Sequence, residues 1–414
     1  MHRWIRSPAR CAPTTRPGMR LLRLSREVTG MSDRTGIEWT DATWNPTRGC
    51  SRISPGCRNC YAEGVAARVI SMDRGRGVAE GDGAYDGLLA KGGQWNGTIR
   101  VVDGVLDQPL RWRRPRRIFV NSMSDLFHEA VPDEVIYRIF AVMALAEWHT
   151  FQVLTKRPQR MRDFLRAFTF ERLVDCCGGE DGASVIYGRT MQALQHHFGQ
   201  IIGSGLKGFN RVDRWPLPNV WLGVSVEDQS TADERIPLLL DTPAAVRWLS
   251  MEPLLGPVDL LSTGDVLCRC DGCLHAAAES PDIAGLQRID WVVVGGESGP
   301  HARPMHPDWA REIRRQCAAN SVPFFLKQLG EWAPGECVVR NRGIVPVAWR
   351  VNDSWQFGEE DLAAAGGHID DEPDLYRVGK KSAGRRLDGD LYDGYPDGPR
   401  EQPPRLPNCQ ANRN

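Results

Sequence analysis

Three cysteines, Cys50, Cys57 and Cys60, fall within eleven residues in the run Gly49-Cys50-x6-Cys57-x2-Cys60-Tyr61. Gly49, Pro55 and Gly56 supply the turns that one short segment needs to present several sulfurs to the same object. Thiolates are soft ligands that select zinc or iron–sulfur clusters. A structural zinc wants four protein ligands, and no fourth is near in sequence. A 4Fe–4S cluster held by three cysteines leaves one iron open to bind and activate a substrate. A distant residue such as His128 would close that position, and a zinc knuckle completed by a remote Cys or His is the competing reading. A second group, Cys268-x-Cys270-x2-Cys273 with His275, has ligand spacing for a small zinc site or a second cluster in the 262–288 segment, with Cys176 or Cys177 available to complete it.

These sulfurs need a scaffold, and the chain alternates short apolar runs with helix-period segments. The expected strands are Arg117–Ser122, Thr150–Thr155, Val220–Val226, Val246–Ser250, Trp291–Gly295 and Pro323–Lys327. Pro132–Trp148 and Pro307–Asn320 open with a proline and have amphipathic helical patterning. Near-continuous apolar strands separated by helices indicate a parallel sheet covered on both faces. With six such units, the expected fold is α/β, a partial or full (β/α) TIM-like barrel, and an open doubly wound sheet is the second choice.

Each apolar run breaks into polar residues on its C-terminal side: Asn121-Ser122-Met123-Ser124-Asp125, Thr155-Lys156-Arg157, Glu227-Asp228, Met251-Glu252, Gly296-Glu297-Ser298 and Lys327-Gln328. In parallel α/β proteins the active site sits at that edge. Six polar strand ends at one topological position describe a pocket rim. By contrast, the basic run Arg111–Arg117 precedes a strand and belongs to the opposite rim, where a solvated loop is expected. The Lys380–Arg386 element is read the same way, while His301, Arg303 and His306 are candidates to line the pocket, with His306 before Pro307 equally a helix-entry residue.

Length and composition bound the rest. The chain has 414 residues, with 52 basic against 52 acidic residues, so bulk basicity does not advertise nucleic-acid binding. Seven arginines and one acid occupy residues 1–30, which leaves 45 basic and 51 acidic residues beyond them. Residues 1–30 are expected to be a disordered basic leader, 31–350 the barrel with insertions at 72–98, 175–214 and 262–288, and 351–414 a partly disordered C-terminal extension. No run approaches the ~20 apolar residues of a membrane span. The 12 cysteines, without the apolar region of a secretory signal, suggest a reducing, cytoplasmic setting.

The runs GIEWTDATWNPTRGC, SPGCRNCYAE, RRIFVNSMSDLFH, LTKRP, WLGVSVED, LSMEPLLGP, VVGGESGPHARPMHPDW, PFFLKQLGEW and VGKKSAGRRLDG occur in this order over about residues 35–390. With them the chain resembles the phage-type three-cysteine-motif family of radical-SAM-like proteins, phage and bacterial proteins of unknown function. The resemblance implies a partial TIM-like barrel with the cluster loop after the first strand, near the mouth. It implies S-adenosylmethionine (SAM) on the open iron, an external electron donor, and reductive cleavage of the sulfonium to abstract a substrate hydrogen. Ordinary radical-SAM enzymes space the cysteines C-x3-C-x2-C, whereas the first gap here is six. Gly295-Gly296-Glu297 matches in composition the stretch that holds the methionine amine in those enzymes, but it follows a late strand. Asn121, Ser122, Ser124 and Asp125 at the earlier strand end are therefore the preferred SAM contacts, with Glu297 added. Asp125, Glu227, Asp228, Glu252 and Glu297 are candidates to orient amine or ribose groups, and Lys156, Arg157 and Lys327 to hold a phosphate or carboxylate. The expected function is a cluster-dependent enzyme with an unidentified, nucleotide- or nucleic-acid-related substrate. The alternatives are a zinc-stabilised nucleic-acid-binding module and a non-catalytic partner protein.

Overall fold

Seven parallel strands, added one after another in chain order, form the main sheet of the computed structural model. They are β1 (Ala42–Trp44), β2 (Arg117–Val120), β3 (Thr150–Thr155), β4 (Val220–Ser225), β5 (Val246–Met251), β6 (Trp291–Gly295) and β7 (Phe324–Gln328). The structure describes residues 35–167, 215–262, 288–335, 343–361 and 375–396, all within the compact unit Asp33–Asn414. The sheet curls into a half-barrel, so the α/β, partial TIM-like expectation holds. Six of the seven strands carry the apolar runs that announce them. β1 was missed because its three residues, Ala-Thr-Trp, are too short for a periodic signal.

Every residue of β4, β5 and β6 is buried, as a sheet sandwiched between helices and a filled lumen requires. Outside lie α1 (Tyr61–Gly75), α2 (Asp133–Leu145), α3 (Pro158–Arg166), α4 (Gln229–Leu240) and α5 (Pro307–Ala319). α2 buries Val135, Ile136, Ile139, Phe140, Val142 and Met143, while Asp133 and Glu134 in its first turn suit the positive end of the helix dipole. Asp228 caps α4 by accepting from the Thr231 amide at 2.9 Å. His306 does the same for α5, its Nδ1 accepting from the Asp308 amide at 3.2 Å. It is therefore a helix-start residue.

Inward positions alternate along each strand and change character with height. At the strand starts Trp39, Phe119, Trp221, Val246, Trp248, Trp291, Val293 and Phe325 form one buried cluster. Gly223 is small because the Trp248 ring lies within 2.5 Å of where its Cβ would be. Two residues further along each strand, the positions are Asn121, Ser225, Ser250, Gly295 and Lys327. The lumen has an aromatic floor and a polar top.

The chain then adds a four-stranded antiparallel sheet from β8 (Trp332–Pro334), β9 (Ile344–Val351), β10 (Ser354–Asp361) and β11 (Leu375–Arg377), in the order β8-β11-β9-β10. The C-terminal extension thus contributes strands, and its Tyr395 stacks on Trp291 at 5.3 Å beneath the floor. Among the described residues no helix is long and apolar enough to cross a membrane.

Candidate functional site

The three-cysteine loop follows β1 and ends at α1, at the C-terminal mouth of the half-barrel. Cys50 follows the short strand Thr47–Arg48, Cys57 closes the turn Pro55–Cys57, and Cys60 is the residue that caps α1. All three are half-buried free thiols. Gly49 sits at φ +94°, with the Thr98 carbonyl 2.1 Å from where a Cβ would be, so only glycine fits before Cys50. The Gly-rich segment 72–98, expected as a loop excursion, is the outer wall of this site. Its Tyr85, Leu88 and Trp95 pack with Ala62, Ala66 and Met123 against Cys50 and Cys60. The Gly97 amide donates to the Cys50 carbonyl at 3.0 Å.

Burial pushes the Cys50 thiol up to about 12, with Asp125 and Cys60 adding to the effect and Arg157 opposing it. Burial also raises Cys60, Cys57 adds a smaller upward push, and the Glu63 and Ala62 amides at the start of α1 counter it. Cys50 and Cys60 are therefore protonated near neutrality, and binding a metal through them would release protons. Among the described residues no three His, Cys, Asp or Glu side chains gather tightly enough to hold a single metal ion. A mononuclear zinc places each sulfur at about 2.3 Å from one point. A cluster instead takes its ligands on separate irons.

His128 is not poised as a fourth ligand. Its Nδ1 accepts from the Ala130 amide at 3.1 Å, so the proton sits on Nε2, which donates to Ser51 Oγ at 2.9 Å. Burial, helped by Arg157, holds His128 below its ordinary range and hence neutral. Arg157 is equally committed. It donates to Asp125 at 3.0 Å, to Glu129 at 3.0 Å and to Ser51 Oγ at 2.8 Å, and its Nη1 lies 3.9 Å from Cys50 Sγ.

The carboxylates named from the strand ends divide into two groups. Asp125 accepts from Thr155 Oγ1 at 2.7 Å and from the amides of Phe127 and Lys156 at 3.0 Å, as well as from Arg157, so both oxygens are spent inside the protein. Glu227 is fully buried, pairs with Lys156 and with Arg235 at 2.9 Å, and accepts from Ser54 Oγ at 3.0 Å. Burial alone would raise it, but Lys156 and Arg235 outweigh burial and hold it below the usual carboxylate range. Glu297 takes Arg303 at 2.7 and 3.0 Å and Asn59 Nδ2 at 2.9 Å, and is likewise held low against burial. Glu252 differs. Its Oε2 accepts from Ser250 at 3.1 Å, while Oε1 has Lys327 Nζ at 3.1 Å but no aligned hydrogen bond. Gly295 leaves it room, since a Cβ there would sit 2.9 Å from Glu252 Oε1.

Asn121 has φ 60°, a left-handed conformation that asparagine tolerates. Its buried Nδ2 has no hydrogen-bond partner. Ser122 donates to Asn45 Oδ1 at 3.1 Å and Ser124 pairs with Thr47 Oγ1 at 2.7 Å, which ties this strand end to the chain leaving β1. Tyr61 is 56% exposed at the mouth, with its hydroxyl anchored on the Ser122 carbonyl at 2.6 Å. A cavity of about 570 Å³ opens on the flank, lined by Lys156, Arg157, Tyr137, Arg160 and Phe164.

Sequence reasoning missed Ser51, Ser54, Asn59, Tyr61, Glu63 and Arg235. Glu63 accepts from Arg52 at 2.9 Å and from the Trp95 amide at 2.9 Å. No spacing rule announces such partners, because Ser54 meets Glu227 across 173 positions and Asn59 meets Glu297 across 238. At the opposite rim, Arg111 pairs with Asp107, Arg116 lies over Trp112, and Arg117 pairs with Asp41. Cys176, Cys177, Cys268, Cys270, Cys273 and His275 lie outside the described residues.

Fold and site together define an α/β half-barrel protein with a three-cysteine loop at its strand-end mouth. The chain belongs to the family described as protein of unknown function (DUF5131), whose model matches residues 34–396. No curated protein and no solved structure matches it. The family carries no assigned activity, and its description names neither a phage nor SAM.

Proposed function

We propose that the protein is a cluster-dependent, radical-SAM-like enzyme in which Cys50, Cys57 and Cys60 hold a 4Fe–4S cluster. The observation that carries this reading is the placement of three free thiols on one ordered loop at the C-terminal mouth, over a lumen that turns polar at that height. When bound, such a cluster with an open iron supplies the electron that cleaves a sulfonium such as SAM. The chain's own residues bind, orient and exclude water. Asn121 Nδ2 has no hydrogen-bond partner and Glu252 Oε1 has only the Lys327 ammonium beside it, and a buried polar atom without a hydrogen bond is costly unless a ligand completes it. With Lys327 they are the groups left to contact the cofactor's amine, carboxylate or ribose. The aromatic floor closes the lumen from below. Arg157 sets a positive charge beside Cys50, which favours its thiolate. Tyr61, exposed and anchored, offers a face on which a base can stack, so nucleotides and nucleic acids are the first substrates to test. An external one-electron donor is required.

The test is anaerobic reconstitution followed by low-temperature electron paramagnetic resonance of the reduced protein, with and without SAM. A brown protein with about four irons, whose spectrum changes when SAM is added and which is lost in Cys57→Ser, is the expected result. Colourless protein that loads only zinc would overturn the reading.

A further inference from the structure

The geometry points to Glu227 and Glu297 as positioning residues that grip the three-cysteine loop from two sides before any cofactor binds. Their bearing on catalysis rests on reading that loop as a cluster site. Neither carboxylate is free to act on a ligand, because each is already saturated by cations of the barrel and by the loop. Glu227 leaves β4 and is neutralised by Lys156 after β3 and by Arg235 on α4. With its charge balanced, Glu227 Oε1 accepts from Ser54 Oγ at 3.0 Å. Its Cγ and Oε1 also lie 2.5 Å from where a Cβ on Gly56 would be, so the loop backbone rests directly on the carboxylate. Ser54 and Gly56 flank Pro55 immediately before Cys57, and Ser54 Oγ is 3.7 Å from Cys57 Sγ.

Glu297 leaves β6 and is neutralised by Arg303 through two side-chain bonds. It accepts from Asn59 Nδ2 at 2.9 Å, and Asn59 also donates to the His301 carbonyl at 2.7 Å. Arg303 Nη2 reaches the Pro55 carbonyl at 3.1 Å. Cys57 is thus held between a grip at Ser54–Gly56 and a grip at Asn59, which also fixes the approach to Cys60. A loop without repetitive hydrogen bonding would otherwise sample many arrangements of its sulfurs, and these two anchors remove that freedom in advance.

The experiment uses the full chain, reduced and free of cofactor, with Ser54→Ala, Asn59→Ala and the double variant. These replacements leave both carboxylates paired with their cations. Pulsed alkylation with N-ethylmaleimide, read by peptide mass spectrometry, gives a rate for each cysteine. Cys57 and Cys60 should react several-fold faster in each single variant and faster still in the double, while buried Cys317 on α5 and the melting temperature stay unchanged. Ser54→Thr, which keeps the hydroxyl, should restore the wild-type rate. Unchanged Cys57 and Cys60 rates would overturn the inference, as would a rise shared equally by Cys317, which would signal general loosening. Iron uptake is measured separately. If the wild type takes up no iron while the variants still expose Cys57 and Cys60, the cluster reading fails and the positioning role stands. If iron binds and Ser54→Ala/Asn59→Ala leaves the reduced-cluster spectrum unaltered, the positioning role fails and the cluster reading stands.

Discussion

At the strand starts, Trp39, Trp248 and Trp291 meet with ring centroids 5.2 to 6.1 Å apart; at the strand ends, Asp125, Glu227 and Glu297 meet Arg157, Arg235 and Arg303 at 2.7 to 3.0 Å. Both regions are buried, but they obtain order differently. The floor is ordered by shape. Apolar contact is non-directional, and its uniqueness comes from rings filling a fixed volume, as the fit of Trp248 over Gly223 shows. The mouth is ordered by direction. Each charge there has a named partner, and a missing partner leaves a buried group unsatisfied. The floor should therefore respond to lost volume and the mouth to lost charge or hydrogen bonds.

Replacing Trp291 by Ala should break the floor most, with a loss of about 3–5 kcal/mol in chemical denaturation. A loss under about 1 kcal/mol would mean that the aromatic cluster is not a packed core. Asp125→Asn keeps the shape but puts an amide where four donors converge, and should cost about 1–3 kcal/mol. If it costs nothing, the mouth is not ordered by charge and the contrast disappears. Asp228→Ala removes the cap of α4 and should cost about 1 kcal/mol, with Asp228→Asn retaining most of that stability.

The smallest effect separates the regions by pH. His128 has a folded-state pKa below the unfolded value of 6.5, because burial and Arg157 disfavour its charged form. The unfolded chain then binds more protons below that pH, so stability is present above it and falls as the medium is acidified. His149 and His306 are shifted in the same direction and add to the slope. Denaturation midpoints at several pH values from neutral to mildly acidic should fall less steeply in His128→Gln than in the wild type, while Trp291→Ala leaves the slope as it is. Equal slopes for His128→Gln and wild type would remove His128 from the account.

Much of the scaffold was readable along the chain. Val220–Ser225 and Trp291–Gly295 announce themselves as buried strands because an apolar run of that length has few other homes in a parallel sheet. Pro132 and Pro307 marked α2 and α5 within a residue or so, since a proline fits the first turn. The half-barrel followed from the order of the apolar runs, and the family resemblance implied a cysteine loop near its mouth. The roles of the strand-end carboxylates followed from neither. From sequence, Asp125, Glu227, Glu252 and Glu297 are equivalent acids after equivalent strands, and all were candidates to touch a ligand. In the fold all four face cations, Glu227 and Glu297 also hold the cysteine loop, and of the four only Glu252 keeps an oxygen without a hydrogen bond.

Local sequence thus determined which segments became strands and helices, and which short stretch gathered the thiols. Those properties depend on neighbours a few residues away, through hydrophobic period, proline and glycine. Tertiary structure decided which charges are spent and which remain available. That depends on meetings across 173 or 238 positions, such as Ser54 with Glu227 and Asn59 with Glu297. Side-chain electrostatics acts through space at a few ångströms, and only the folded chain sets those distances.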